Sequence, residues 1–132
     1  MLTDVEFSKV KEIFKQVLGM FEYVDDKSFW NTPEHWEDPK YIAQQIETGK
    51  VEGDCDNFAL ACRYLLNQAK VPNRIAMCLT EDGEGHLVCE AEGWILDNRQ
   101  TRVRSWGELP YKWLKISGYK VGEPWHQIAA QT

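Results

Sequence analysis

The sequence predicts an α+β fold in which N-terminal helices pack on an antiparallel β-sheet. Three observations carry this expectation. Apolar residues recur at helical spacing near the start of the chain and again after Asp54. Short β-prone runs bounded by tight-turn sequences follow from about Arg74. Helices first and strands afterwards is the order of an α+β domain. At 132 residues, with 43% hydrophobic residues and six Trp, five Tyr and five Phe, the chain suits one domain, 1–132, built on a single core.

Thr3-Asp4-Val5-Glu6 has the form of a capping box, and Phe7, Val10, Phe14, Val17, Leu18 and Phe21 repeat at helical spacing behind it. A first helix is expected from about Asp4 to about Glu22. Between Val24 and Gly53 the pattern weakens, with a short helix near Pro39 to Glu47 that turns Ile42 and Ile46 inward. The aromatics of this stretch, Trp30, Trp36 and Tyr41, could line a groove, but lids on the core are the favoured reading. Asp54 is a good N-cap for a second long helix ending near Ala69, with Phe58, Cys62, Leu65, Leu66 and Ala69 forming its apolar stripe. Val71-Pro72-Asn73 closes it. Strands are expected at about Arg74–Thr80, Gly85–Ala91 and Trp94–Asn98, joined by Glu81-Asp82-Gly83-Glu84 and Glu92-Gly93. A fourth is expected near Tyr111–Ile116.

Composition narrows the partners. A net charge of −6 argues against nucleic acid, which demands a basic face. Arg99, Arg102 and Arg104 lie close together but read as a solvated edge. No apolar run is long enough to cross a membrane, and Met1-Leu2-Thr3-Asp4-Val5-Glu6 has neither the basic start nor the apolar block of a signal peptide. A cytosolic location is therefore expected. Cys55, Cys62, Cys78 and Cys89 contain no CxxC pair, which gives a structural zinc site little support. His86 and Cys89, three apart on a strand, would point to opposite faces. Four free thiols are expected, three buried and one reactive.

The reactive one is Cys55. In Gly53-Asp54-Cys55-Asp56-Asn57-Phe58-Ala59 it stands at the mouth of the second long helix, where unpaired N–H groups and the helix dipole favour a thiolate. Cys62, seven residues on, lies two turns down the same side and packs into the core. His86 in Gly85-His86-Leu87-Val88 and Asp97 in Trp94-Ile95-Leu96-Asp97-Asn98 supply what a nucleophilic cysteine needs. If Glu92-Gly93 is a two-residue turn, Ala91 faces Trp94, Cys89 faces Leu96 and Val88 faces Asp97. His86 then shares a face with Asp97 as its diagonal neighbour, roughly 7–8 Å away at the backbone. A slip of one residue would break the arrangement.

In that geometry Cys55 attacks a carbonyl carbon, His86 handles the thiol proton and Asp97 fixes the imidazole tautomer. The Cys55 N–H would hold the oxyanion with one further donor, for which Trp30, Asn31, Trp36 and Tyr41 are candidates. His35 and His126 are weaker bases, since neither sits in a turn-bounded strand. Asp54 and Asp56 oppose the thiolate. Either they point away as caps, the favoured reading, or a cation neutralises them. Calcium suits such ligands, although two acids fall short of the roughly six to eight oxygens it takes.

At these residues the chain resembles the bacterial transglutaminase-like cysteine peptidases. Gly53 to Ala59, Gly85 to Val88 and Gly93 to Asn98 carry the likeness, with the Trp-rich approach before Gly53. The resemblance implies a papain-like, transglutaminase-type core, a triad of Cys55, His86 and Asp97, and no cofactor beyond calcium. In calcium-dependent members, acids flanking the cysteine bind the metal, and these align with Asp54 and Asp56. The family often has Cys-Glu-Asp where this chain has Cys55-Asp56-Asn57, which weakens the calcium implication. Its exported adhesin-cleaving members carry a signal absent here, so that substrate is not carried over. The short length matches small phage-borne relatives and makes a phage origin an open expectation.

Three functions are consistent with these residues. The first is a cysteine peptidase or related amide hydrolase acting on a protein or peptide. The second is a transglutaminase-type acyl transferase using the same site with an amine acceptor. The third is a non-catalytic protein-binding module presenting the aromatics of Trp30–Tyr41 and Trp106–Trp125.

Overall fold

The computed structural model describes residues 1–23, 39–120 and 122–128. Helices α1 (Asp4–Met20), α2 (Pro39–Thr48) and α3 (Cys55–Gln68) are accompanied by strands β1 (Phe21–Tyr23), β2 (Val51–Gly53), β3 (Arg74–Leu79), β4 (Gly85–Ala91), β5 (Trp94–Leu96), β6 (Arg104–Ser105), β7 (Lys112–Ile116) and β8 (His126–Gln127). Six strands form an antiparallel sheet in the order β6-β5-β4-β3-β7-β8, while β1 and β2 make a separate parallel pair. The architecture is the expected α+β.

The Thr3 capping box starts α1: the Glu6 N–H donates to Thr3 Oγ1 at 3.1 Å and the Thr3 N–H to Glu6 Oε1 at 3.0 Å. Val10, Ile13, Phe14 and Val17 are its buried stripe. The helix stops at Met20, short of the expected Glu22. Phe21 turns to an extended conformation, pairs with Val51 and packs its ring edge-on against Phe58 at 5.2 Å. A tertiary pairing outweighs local helical preference here. The same parallel pair matches Tyr23 with Gly53, which delivers the chain to the start of α3.

Helix α3 packs on the sheet through Phe58, Ala59, Cys62 and Leu66, all buried. Strand β4 alternates beneath it. Leu87, Cys89 and Ala91 enter the core shared with the helices. Val88 faces the opposite side with Ala76, Cys78, Ile95, Tyr111 and Trp113. His86 belongs to that second face by parity, and its ring lies edge-on to Tyr111.

The β4–β5 hairpin takes the expected register, Ala91 opposite Trp94 and Cys89 opposite Leu96. Glu92 and Gly93 have φ of 52° and 93°, as a two-residue turn with both central residues left-handed requires. Strand β5 ends at Leu96 rather than Asn98, because Asp97 closes a turn by accepting the Gln100 N–H at 3.0 Å. Strands β1, β2, β6 and β8 were not among the expected elements; each has two or three residues, too few to display alternation. Trp30, Asn31, His35 and Trp36, with the side chain of Tyr41, lie outside the described residues.

Candidate active site

The mouth of α3 is shaped by a glycine and an asparagine. Gly53 has φ +145°, and a Cβ there would lie 2.0 Å from Asn57 Oδ1. Asn57 is buried, and its Oδ1 accepts the Asp54 N–H at 3.3 Å. Asp54 in turn caps the helix, its Oδ1 accepting the Asp56 N–H at 3.0 Å. Cys55 is thereby held at the first helical position. All four cysteines are free; Cys62, Cys78 and Cys89 are buried and Cys55 is partly exposed. Burial lifts the thiols of Cys78 and Cys89 to about 12, which suits inert core residues.

His86 Nε2 lies 2.7 Å from Asp97 Oδ1, and both residues are buried. The diagonal relation across β4 and β5 thus brings the two side chains together. Asp97 receives two more hydrogen bonds: the Arg99 N–H donates to Oδ1 at 2.9 Å and the Tyr111 hydroxyl to Oδ2 at 2.6 Å. Burial opposes the Asp97 charge, but the bonds from His86, Tyr111 and Arg99 outweigh it and hold the carboxyl below its ordinary range. Burial and the Asp97 carboxylate push the Tyr111 phenol up to about 12, so it remains a donor. Arg99 completes the group, donating to the Tyr111 oxygen at 3.2 Å and pairing with Glu81. Tyr111 was anticipated only as the head of a strand. It has no sequence spacing relative to Asp97 that would mark it as a partner.

Cys55 and His86 line the same cavity, of about 270 Å³, with Tyr23, Thr80, Asn98 and Arg99 among its other walls. Since Nε2 faces Asp97, Nδ1 is the ring nitrogen left for another partner. The Cys55 thiol donates to Asp56 Oδ1 at 3.5 Å, and the Leu87 N–H points at the sulfur. That N–H is available because β5 leaves the ladder at Leu96, before it could pair with Leu87. Burial, then the Asp56 and Asp54 carboxylates, push the thiol far above its ordinary value, with Leu87 opposing. At this sulfur burial and the two carboxylates outweigh the helix start. Burial and the neighbouring Asp54 raise Asp56 itself to about 6.

Ligand atoms of Asp54, Cys55 and Asp56 all lie within 4.8 Å of one another. The two carboxylates are hard oxygen donors whose mutual repulsion a divalent cation would relieve, so the donor chemistry suits calcium. Their number does not complete a shell, and Asn57 Oδ1 is turned to the Asp54 N–H instead. Capping by Asp54 is realised; Asp56 caps nothing and faces the sulfur.

The other candidates lie apart. His126 is exposed on β8. Arg99 pairs with Glu81, and Arg102 and Arg104 both pair with Glu108, which leaves no concentrated basic face among them. In the Trp106–Trp125 segment, Trp113 is buried while Trp106 and Tyr119 are exposed. Among the described residues no helix is long and apolar enough to cross a membrane.

A protein-family model described as bacterial transglutaminase-like cysteine proteinase, BTLCP, matches residues 1–132. No curated protein matches the chain. Among solved structures, Legionella pneumophila LapG is similar with a TM-score of 0.69 and 18% identity, over 96% of this chain and 71% of that one. A calcium-bound LapG structure gives the same figures. An EGTA-treated one differs only in that 69% of LapG is covered. At this identity the likeness is one of fold, a transglutaminase-like arrangement of helices on an antiparallel sheet. The match over the full sequence goes further: the chain belongs to the bacterial transglutaminase-like cysteine proteinases, a family of cysteine peptidases.

Proposed function

We propose that this protein cleaves an amide bond in a protein or peptide substrate, with Cys55 as nucleophile, His86 as base and acid, and Asp97 as the group that orients His86. The observation that supports this most is the buried 2.7 Å His86–Asp97 pair opening on the cavity that Cys55 also lines. With Nε2 tied to Asp97, Nδ1 takes the thiol proton as the sulfur attacks the carbonyl carbon. The Cys55 N–H at the helix start faces the developing oxyanion. His86 then returns the proton to the leaving amine, and a water activated by the same ring hydrolyses the thioester. Burial and the Asp56 and Asp54 carboxylates favour the thiol over the thiolate, which supports proton transfer accompanying attack rather than preceding it.

Calcium belongs to this reading as a regulator of the site, held by Asp54 and Asp56. Bound there it would supply positive charge beside the sulfur and offset the two carboxylates that disfavour the thiolate. LapG, a relative in fold, has been solved both calcium-bound and EGTA-treated. A calcium-dependent rise in melting temperature, reversed by EGTA and lost in Asp56→Asn, is the expected result; identical melting curves remove calcium from the account.

The central test is labelling by an activity-based thiol probe. Cys55 should react, and His86→Ala should abolish the signal while leaving the protein folded. Equal labelling of both proteins overturns the assignment. Turnover in the presence of a tagged amine separates hydrolysis from acyl transfer: incorporation of the tag reassigns the chain to the transferases.

A further inference from the structure

We propose that Asn98 is a substrate-binding residue of this site, its side-chain amide donating a hydrogen bond to a backbone carbonyl of the bound peptide. The inference rests on the peptidase reading above and deepens it. Asn98 lines the cavity that Cys55 and His86 share. Its Oδ1 is buried and has no hydrogen-bond partner. The side chain is half-buried, so the end that reaches the cavity is the nitrogen, with two N–H donors and no partner among the described residues. The nitrogen is thus an unused donor on the wall that Cys55 and His86 also line.

The backbone around Asn98 is fixed from both sides by one residue. Asp97 Oδ1 accepts the Arg99 N–H at 2.9 Å, and the Asp97 carbonyl accepts the Gln100 N–H at 3.0 Å. Asn98 sits inside that turn. The carboxylate that orients His86 therefore also fixes the backbone from which the Asn98 side chain projects. The neighbouring guanidinium is not an alternative, because Arg99 is committed to Glu81 and the Tyr111 oxygen. The cavity wall also carries Asp82 and Glu84, which disfavour an anionic ligand. A neutral carbonyl, which a peptide offers at every residue, is the acceptor that fits.

The test compares two reagents on Cys55. Iodoacetamide reaches the sulfur without a peptide backbone; a panel of tripeptidyl fluoromethyl ketones, varied at each position, must first dock one. In Asn98→Ala and Asn98→Leu the inactivation rate with the reactive ketones should fall about tenfold, the loss expected of one hydrogen bond. The iodoacetamide rate should stay within about twofold of the parent, as for a change that leaves the thiol untouched. Equal losses toward both reagents would assign Asn98 a structural role and overturn the proposal, as would an unchanged ketone rate. If no ketone inactivates the parent protein while iodoacetamide does, the peptidase reading itself fails.

Discussion

Replacing Tyr111 with Phe removes one hydrogen-bond donor from Asp97, the least exposed polar residue of the site. Asp97 is 0% exposed, and its Oδ2 accepts from the Tyr111 hydroxyl at 2.6 Å. The Phe ring keeps its edge contacts with His86 at 5.6 Å and Trp113 at 5.8 Å, so packing is conserved. Arg99 and Gln100 lose an acceptor, but both reach solvent and should contribute little. The cost is that of leaving half of a buried carboxylate unsatisfied, about 2–3 kcal/mol at neutral pH. The pH dependence follows from Asp97 being held below its ordinary range. Stability from such a group is present above the unfolded carboxyl pKa, near 4, and is lost as pH falls through the folded value. The variant lacks one of the bonds that depress the folded value, so its deficit should be full at pH 7.5 and should narrow at about pH 3.5. Urea titration followed by tryptophan fluorescence measures both. A deficit under about 0.5 kcal/mol at pH 7.5, or one that widens on acidification, refutes the account.

Asp56→Asn should stabilise the protein. The folded carboxyl sits at about 6, so the stability tied to its protonated form is complete below about pH 4 and disappears as pH rises through 6. An amide avoids that loss, for a gain on the order of 1–2 kcal/mol above pH 6 after allowance for partial exposure, and none below pH 4; melting temperatures in EGTA across this range decide. Gly53→Ala forces an L side chain into φ +145° and against Asn57, and should cost about 2–4 kcal/mol in urea titrations. In an Asn57→Ala background the same change should cost less, since the atom it strikes is gone; equal costs refute the clash. A thiol titration of the native protein should count one reactive group, Cys55, and four in urea; a second native thiol refutes the burial of Cys62, Cys78 and Cys89.

The readable parts of the fold were those where one period runs long enough to repeat. Helix α1 shows four buried residues at helical spacing, and Glu92-Gly93 dictates a turn whose register then sets every pair of β4 and β5. The β1–β2 pair was hidden because Phe21 continues the stripe of α1 and changes structure only through contact with Val51 and Phe58. At the site, the meeting of His86 and Asp97 was legible because side-chain parity on two paired strands is a local rule. Tyr111 was not, since it stands just before β7, three places from β5 in the sheet order, and its hydroxyl reaches Asp97 from there. The charge state of Cys55 was half legible. Its place at the helix start was clear, but the weight of Asp56 depends on a side-chain direction that the sequence does not specify.

That weight changes what the site must do. Moving the thiol proton to solvent would leave a sulfur anion facing Asp56 and Asp54 in a half-buried position, which is the arrangement that drives the thiol upward. Moving it to His86 is a different process. The cationic ring so formed is attracted to Asp97 at 2.7 Å and lies within electrostatic reach of Asp56. Asp56 thus opposes one product of the transfer and favours the other, and the Leu87 N–H offsets part of the charge left on sulfur. In the proposed mechanism the proton goes to His86, since burial, Asp56 and Asp54 all disfavour a free thiolate. Two consequences separate this from a preformed ion pair. Alkylation of Cys55 at neutral pH should be slow in the free protein, and it should accelerate in Asp56→Asn, where the opposing carboxylate is absent. An unchanged rate in that variant would mean that burial alone sets the thiol, leaving Asp56 no part in its chemistry.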